Sequence, residues 1–203
     1  MNWKDSVVDL RAEMDAQHKR RELALAGSRK IIQTASKCIK HVHRKQFDEA
    51  STLLDQGITQ SQELRREVQD APSILYAGYI QDAEKELVEA AALLAVVQGK
   101  DNPTRNELGV DIAPYLNGLA EAASECRRTV LDELRSGSIA EAERVMGWME
   151  EVYEELTTFD FPDALTSGLR RTCDALRAVL ERTRSDLTLT MNQRELLEEL
   201  KRH

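Results

Sequence analysis

A long stretch without a helix-breaking residue constrains the fold of this chain more than any other feature. From Ser6 to Arg44 the apolar residues recur at near-helical intervals, and Gly27-Ser28 is the one weak point. The spacing predicts a single helix, which at 1.5 Å per residue would span about 60 Å. A compact chain of 203 residues has a radius of gyration of only about 17 Å. We therefore expect the far end of this helix to pack on another subunit, unless Gly27 bends it back.

Apolar periodicity predicts helices in the rest of the chain as well. The sequence is 41% hydrophobic, 32% charged and only 4% aromatic, which favours helices packed through aliphatic stripes over a β-sandwich or barrel. No segment alternates polar and apolar residues as a strand does, and no repeat of fixed period is found. We predict an all-α fold of about seven helices in a single domain spanning residues 1–203.

Prolines, glycines and capping patterns set the predicted helix boundaries. Pro72, Pro114 and Gly137 mark helix ends or first turns, and a loop rich in Gly, Asp, Asn and Pro is predicted at 99–106. Ser138 with Glu141, and Thr190 with Gln193, match the capping box. After the first helix, the predicted helices cover about 47–71, 73–98, 114–137 and 139–157, and the last two begin at 161 and 190.

The charge balance and the cysteines bear on partners and compartment. Asp and Glu exceed Lys and Arg, for a net charge of -8, so the surface as a whole should repel polyanions and any nucleic-acid contact must be local. The start, MNWKDSVVDL, lacks the form of a signal peptide, and no apolar run is long enough to span a membrane. Three widely separated cysteines, Cys38, Cys126 and Cys173, fit free thiols. We expect a cytoplasmic protein without membrane contact.

Two pairs of glutamates lie beside segments that should be buried. Glu86 and Glu89 are three residues apart, directly before a run of Ala, Leu and Val, and Glu121 and Glu125 are four apart among Gly, Ala and Ser. Residues at these spacings share one face of a helix, with about 5–6 Å between their Cβ atoms. The small residues around the second pair would let another helix approach. If the two helices pack together, four carboxylates could converge.

Such a convergence predicts a metal site. Burying several like charges is prohibitive unless protons or a cation neutralise them. The sequence has no Glu-x-x-His, and an all-oxygen ligand set is typical of Mg²⁺ or Mn²⁺. These ions can polarise a phosphoryl oxygen and activate a water for attack on a phosphodiester. The alternative is that both pairs simply face solvent or form salt bridges, as Glu pairs on helices commonly do.

The order of these features resembles the translin family, and the likeness covers most of the chain. It is greatest to the prokaryotic members, which look like the catalytic partner, translin-associated factor X (TRAX). Four segments carry the resemblance: RELALAGSRKIIQTASKCIKHVHRKQFDEA (21–50), YIQDAEKELVEA (79–90), YLNGLAEAASECRRTVLDELRSG (115–137) and LRRTCDALRAVLERTRSDLTL (169–189).

The resemblance implies a fold, an assembly and an activity. It implies a seven-helix subunit that forms a closed, hollow oligomer, commonly an octamer, and translin itself binds single-stranded RNA and DNA. The associated factor is a metal-dependent endoribonuclease with Glu-Tyr-Val-Glu on one helix and Asp-x-x-x-Glu on the next. Glu86 and Glu89 match the first motif, and Glu121 and Glu125 match the second. The sequence departs from the family pattern at Glu121, where Asp is usual, and at Leu87, where the motif has Tyr.

Two basic features are candidates for phosphate contacts. Arg128 lies three residues beyond Glu125, where its guanidinium could hold a phosphate through paired hydrogen bonds or else offset the charge of Glu125 or Asp132. KCIKHVHRK (37–45) is the most basic run and could attract RNA, although cations near a helix C-terminus are also favoured by the helix dipole.

The residues and the resemblance together predict a Mg²⁺- or Mn²⁺-dependent endoribonuclease that cleaves single-stranded or unpaired RNA inside an oligomeric cavity. Its predicted metal ligands and catalytic residues are Glu86, Glu89, Glu121 and Glu125. The alternative is a non-catalytic, translin-like protein that binds single-stranded RNA or DNA. A helical scaffold without a role in nucleic-acid metabolism is a third hypothesis.

Overall fold

A computed structural model describes residues 3–202, so residues 1, 2 and 203 of the predicted domain lie outside it. Within this range the chain forms nine helices and no strand, which confirms the all-α prediction. The count exceeds the predicted seven because α3, α5 and α8 are short helices of four residues each. The helices are α1 Trp3–His43, α2 Phe47–Val68, α3 Pro72–Leu75, α4 Gly78–Val97, α5 Arg105–Leu108, α6 Ile112–Ser136, α7 Ile139–Thr157, α8 Asp163–Thr166 and α9 Leu169–Arg202.

The predicted long N-terminal helix is confirmed as a helix of 41 residues. The helix runs through Gly27 without a break, and a Cβ added there would lie 2.9 Å from Leu64 Cδ1, so Gly27 allows α1 and α2 to pack closely. Burial along α1 begins only at Ala24, and the preceding turns expose large apolar side chains such as Trp3 and Met14. The helix therefore extends beyond the core of its own domain, and the packing of its far end on another subunit stays a prediction.

The core lies between the six long helices. A large cluster joins α1, α2, α4, α6, α7 and α9 through fully buried residues that include Leu93, Cys126 and Leu176. A second cluster joins α1, α2, α3 and α4 around Ile31 and Leu87. The three cysteines are buried free thiols, and burial raises the pKa of the Cys38 thiol to about 12. None of the helices found between residues 3 and 202 is long and apolar enough to cross a membrane.

Helices α4 and α6 run in the same direction, which decides where their side chains meet. The connection between them returns along α4, because Leu108 packs against Val88 and the Asp111 amide donates to Glu84 Oε2 at 3.5 Å. Within this connection α5 begins at a capping box of Thr104 and Glu107, inside the predicted 99–106 loop. The parallel register brings the middle of α4 level with the middle of α6.

The close approach of α4 and α6 is centred on Gly118. A Cβ added to Gly118 would lie 2.6 Å from Val88 Cβ and 2.7 Å from the Lys85 carbonyl oxygen. Real Cβ atoms do not approach other atoms so closely, so the backbones could not come this near with any other residue at 118. The expectation that small residues of α6 let another helix approach is confirmed.

The predicted single helix from 73 to 98 is wrong, because the chain breaks between α3 and α4 at Tyr76 and Ala77, the latter with extended backbone. Packing explains the break. Ile74 and Ile80 both belong to the second core cluster, yet in one continuous helix residues six apart would point about 120° away from each other. The interruption turns both side chains into the same core.

The predicted sixth and last helices are also bounded differently. The turn at Ser167 and Gly168, both with positive φ, separates α8 from α9, so no helix runs on from 161. Thr190 does not begin a new helix, since its hydroxyl donates to the Asp186 carbonyl at 2.8 Å inside an unbroken α9. Ser138 does precede α7, but its side chain makes no capping bond and its hydroxyl instead accepts a hydrogen bond from Ser136 at 3.1 Å. The Glu141 side chain pairs with Arg144.

The packing at Gly118 generates a stability prediction. Gly118→Ala should lower the free energy of unfolding by about 1–3 kcal/mol, because α4 must move away from α6 to admit the methyl group. Gly147→Ala is a suitable control, since nothing lies within 4 Å of a Cβ added at that helical position. There the change should raise stability by up to about 1 kcal/mol. Urea unfolding of the two variants measures both effects, and equal stabilities would contradict this account of α4–α6 packing.

Candidate metal centre

Three glutamates converge where α4 and α6 approach each other. Glu86 and Glu89 from α4 and Glu121 from α6 each place a carboxylate oxygen within 4.8 Å of the others. In the part of the chain that the structure describes, no other His, Cys, Asp or Glu side chains form such a group of three. All three side chains are half-buried. Oxygen atoms at these separations could bind one hard divalent cation.

Local sequence explains why the carboxylates lie at the edge of the core. Leu87 and Val88, between the two glutamates of α4, are buried, and they hold that part of the helix against its neighbours. Leu87, which replaces the Tyr of the family motif, packs close to α2, where a Cβ added at Gly57 would lie 2.8 Å from Leu87 Cδ1. Glu86 and Glu89 then point to the boundary between this core and solvent.

The acidic cluster favours an added proton or cation. Burial raises the pKa of Glu89 to about 8, and the negative charges of Glu86, Glu121 and Glu125 contribute to the rise. Burial and the charge of Glu121 also raise the pKa of Glu86. Since each carboxylate disfavours the ionisation of its neighbours, a divalent cation at this point would relieve repulsion that the protein otherwise reduces by protonation.

A lysine supplies part of the missing positive charge. Lys85 Nζ donates to Glu121 Oε1 at 2.7 Å. Burial alone would lower the pKa of Lys85, but the hydrogen bond and charge of Glu121, with the charges of Glu86 and Asp82, raise it. Sequence reasoning did not single out Lys85, although its place directly before Glu86 was a usable signal. It neutralises one of the three clustered carboxylates.

The fourth predicted ligand, Glu125, stands apart from the group of three. Its Oε1 lies 2.6 Å from Nε2 of His43, a side chain that is only 4% exposed at the end of α1. Glu125 is nevertheless near enough for its charge to raise the pKa of Glu89. No sequence pattern identified His43, because it lies 82 residues from Glu125 in the chain. The role of Glu125 as a ligand stays a prediction.

The two arginines after Glu125 have different surroundings. Arg127 bonds to Thr183 at 3.0 Å and to Asp186 at 2.8 Å, so it joins α6 to α9. Arg128 is largely exposed, and its Nε lies 4.0 Å from Asp132, a long ion pair that leaves the guanidinium accessible. It lines the same surface depression as Glu125. Its predicted phosphate contact remains a prediction.

A buried ion-pair network supports the register of α4 and α6. Glu84 is 1% exposed, and its carboxylate accepts hydrogen bonds from Nε and from a terminal nitrogen of Arg65 on α2, the second at 3.0 Å. Arg65 also pairs with Asp111, the residue before α6, at 2.7 Å. Breaking one partner of such a buried pair is costly, so the network fixes the level at which α6 begins beside α4. Glu84 directly precedes Lys85 and thereby positions the site.

The fold and site define a class: a helical subunit with a long protruding helix and an all-carboxylate cluster between two parallel helices. Comparison with known proteins identifies the family. The chain is 31% identical over 183 residues to the uncharacterized protein MJ0175 of Methanocaldococcus jannaschii, covering 90% of this chain and 81% of that protein. No family model matches the sequence.

Solved structures of C3PO proteins have the same fold. The structure of the AfC3PO–duplex RNA complex matches with a TM-score of 0.86 and 33% identity, covering 93% of this chain and 98% of that one. The crystal structure of AfC3PO matches with a TM-score of 0.84 and 32% identity, again covering 93% of this chain and 98% of that one. That of apo-NeC3PO gives 0.81 at 21% identity, covering 91% and 96% of the two chains, a likeness of fold alone. The chain belongs to the translin family, which includes the C3PO proteins.

The raised pKa of Glu89 generates a prediction about pH. Ionisation of Glu89 costs free energy in the folded, metal-free protein, because its pKa is raised from the ordinary 4.5 to about 8. Glu89 therefore does not destabilise the fold below pH 4.5, where it is protonated in both the folded and unfolded states. It lowers the free energy of unfolding increasingly as the pH rises from 4.5 to about 8. Glu89→Gln should therefore be more stable than the wild type at pH 8 and not at pH 4.5. Urea unfolding in EDTA at both pH values measures the difference, and a pH-independent difference would contradict the burial of this charge.

Proposed function

We propose that this protein is a Mg²⁺- or Mn²⁺-dependent endoribonuclease that cleaves single-stranded or locally unpaired RNA. The observation that carries the proposal is the convergence of Glu86, Glu89 and Glu121 within 4.8 Å. Three hard oxygen donors that repel one another have a strong electrostatic reason to bind a divalent cation. A cation with open coordination positions at a surface-accessible cluster is suited to phosphodiester hydrolysis.

Family membership supports RNA as the substrate. AfC3PO, 33% identical over nearly its whole length, forms a complex with duplex RNA, and we extend RNA binding to the present chain. Because that complex contains duplex RNA, we propose that an RNA bound by the present chain can include double-stranded regions. Since the chain has a net charge of -8, RNA must reach the acidic cluster from a locally basic surface.

The residues of the site can be given separate roles. Glu86, Glu89 and Glu121 would hold the cation, and Glu121, one methylene longer than the usual Asp, would reach it from the opposite helix. The cation would polarise a phosphoryl oxygen and lower the pKa of a bound water. Glu125, which contacts His43 at 2.6 Å, would accept a proton from the attacking water. The accessible guanidinium of Arg128 would hold a neighbouring phosphate.

The assembly is part of the proposal. The exposed first turns of α1 present apolar side chains spaced along one helix face, Trp3, Val7, Leu10 and Met14, and each is more than two-fifths exposed. Isolated exposed apolar residues are ordinary, but a stripe on a helix that leaves its own core needs a covering surface. We propose that a second copy of the chain covers it, in a hollow homo-oligomer with the acidic clusters facing the cavity.

One observation favours the alternative, a translin-like protein that binds single-stranded RNA or DNA without cleaving it. The bond from Lys85 to Glu121 already neutralises one carboxylate of the cluster, and a lysine held there competes with a metal ion. If the lysine is not displaced, the cluster remains a structural ion pair and no cleavage follows.

Neutralising one cluster carboxylate tests the nuclease. Glu86→Gln should reduce Mn²⁺-dependent cleavage of a labelled single-stranded RNA by about a hundredfold or more, a loss of roughly 3 kcal/mol of transition-state stabilisation. RNA affinity measured in EDTA should not change. Glu63→Gln makes the same chemical change at an exposed position on α2 and should leave cleavage intact. Binding without any metal-dependent cleavage by the wild type would establish the alternative.

Removal of the lysine separates its two effects. Lys85→Met should tighten Mn²⁺ binding by about tenfold, because the cation no longer displaces a bond to Glu121 worth roughly 1.4 kcal/mol. The same change should lower the stability of the metal-free protein, since it leaves repulsion among the carboxylates uncompensated. Mn²⁺ titration followed by electron paramagnetic resonance measures the Kd for Mn²⁺. Urea unfolding in EDTA measures the stability of the metal-free protein. Weaker Mn²⁺ binding by the variant would mean that Lys85 does not compete with the ion.

A further inference from the structure

The central part of α1 has a charge distribution unlike the rest of the chain. Between Glu22 and Asp48 there is no acidic residue, although the protein as a whole carries a net charge of -8. Six exposed lysines and arginines lie within this segment, and we call five of them the α1 ridge: Arg29, Lys30, Lys37, Lys40 and Arg44. Such a separation of charge along one helix is an electrostatic footprint for a polyanion.

The ridge occupies one face of the helix. At 100° per residue the four ridge residues inside α1 fall within an arc of about 100°, opposite the stripe of buried α1 residues that starts at Ala24, and Arg44 directly follows the helix. From Arg29 to Arg44 it extends about 22 Å, a length over which one strand of a duplex presents about six phosphates. Thus a nucleic-acid backbone lying along α1 would meet several cations in succession.

The ridge has no internal electrostatic partner. None of the five residues forms an ion pair with any residue between 3 and 202, whereas basic residues elsewhere, such as Arg65, Lys85 and Arg127, pair with carboxylates. Lys45, just beyond the ridge, also pairs, with Glu133 at 2.7 Å. The ridge cations therefore remain available to an external anion.

The helix dipole does not account for the ridge. Its stabilisation of cations fades beyond the last turn of a helix, and of the ridge residues only Lys40 lies in the last turn of α1. Arg29 and Lys30 lie more than two turns before Lys40, and Lys37 lies about one turn before it. The ridge also ends directly after His43, whose ring contacts Glu125 at 2.6 Å, and the charge of Glu125 is near enough to the cluster to raise the pKa of Glu89.

We infer that the α1 ridge binds the phosphate backbone of RNA and leads it toward the acidic cluster. The inference builds on the proposed function, since it names the surface that brings substrate to the site. Cation–phosphate contacts are independent of base sequence and release counterions, so they predict a salt-dependent affinity to which each lost contact makes a measurable difference.

The experiment compares charge changes on and off the ridge. Lys30→Gln/Lys37→Gln/Lys40→Gln should weaken binding of a labelled 20-base-pair RNA in EDTA by at least about tenfold. It should also reduce the slope of log Kd against log salt concentration by about two to three. The control Arg66→Gln/Arg171→Gln/Arg182→Gln removes three exposed positive charges from α2 and α9 and should change neither value.

A conservative variant and a second polyanion complete the test. Lys30→Arg/Lys37→Arg/Lys40→Arg retains the charge and should retain wild-type affinity, which separates charge from side-chain shape. The inference would be overturned if the ridge and control variants lost RNA affinity equally, or if the ridge variant kept the wild-type salt slope. It would also be overturned if the ridge variant lost binding to phosphatidylserine vesicles while its RNA binding stayed intact. Because all binding is measured without metal, a failure of cleavage alone would count against the proposed nuclease and not against the ridge.

Discussion

The whole site depends on how closely α4 and α6 approach at Gly118. A side chain there would collide with Val88 and with the Lys85 carbonyl, so the two backbones meet only because residue 118 has no Cβ. The connection that returns along α4 makes the helices parallel, and the Arg65–Glu84–Asp111 network sets their relative level. Three separate interactions thus fix the distance between α4 and α6, their parallel direction and their relative shift along the axis. Together they bring carboxylates of the two helices to one point.

At this point the repulsion among three carboxylates must be compensated by positive charge or by protonation. Three carboxylates within 4.8 Å cannot all be ionised in a half-buried place without compensation, and the protein has two sources of it. One is the lysine ammonium on Glu121; the other is a proton on Glu89, whose pKa is about 8. A divalent cation would replace both, which links metal binding to proton release and to movement of a side chain. The lysine and the proton therefore compensate the cluster in the absence of an ion, and the proposed cation would displace both.

The sequence predicted the fold class and the long first helix, because both rest on local periodicity. The approach of α4 and α6 was expected from the small residues of α6 and from the family resemblance, and of the four expected carboxylates three converge while Glu125 lies apart. Prediction from the sequence failed where tertiary packing prevails over local signals. The break between α3 and α4 serves to turn Ile74 and Ile80 into one core, and Thr190 bonds back to its own helix instead of starting another. His43 was missed for a different reason: its partner lies 82 residues away, and only the folded chain brings the pair together.

The continuity of α1 has a mechanical consequence. One unbroken helix carries the exposed apolar end near Trp3, the basic face and the histidine that touches Glu125. An α-helix resists stretching and changes of register along its axis, since each turn is tied to the next by backbone hydrogen bonds. A partner that binds the protruding end of α1 and shifts the helix would therefore also shift His43, and with it the Glu125 carboxylate beside the acidic cluster. In the proposed oligomer, contacts at the protruding end and the geometry of the site would therefore be coupled through this helix.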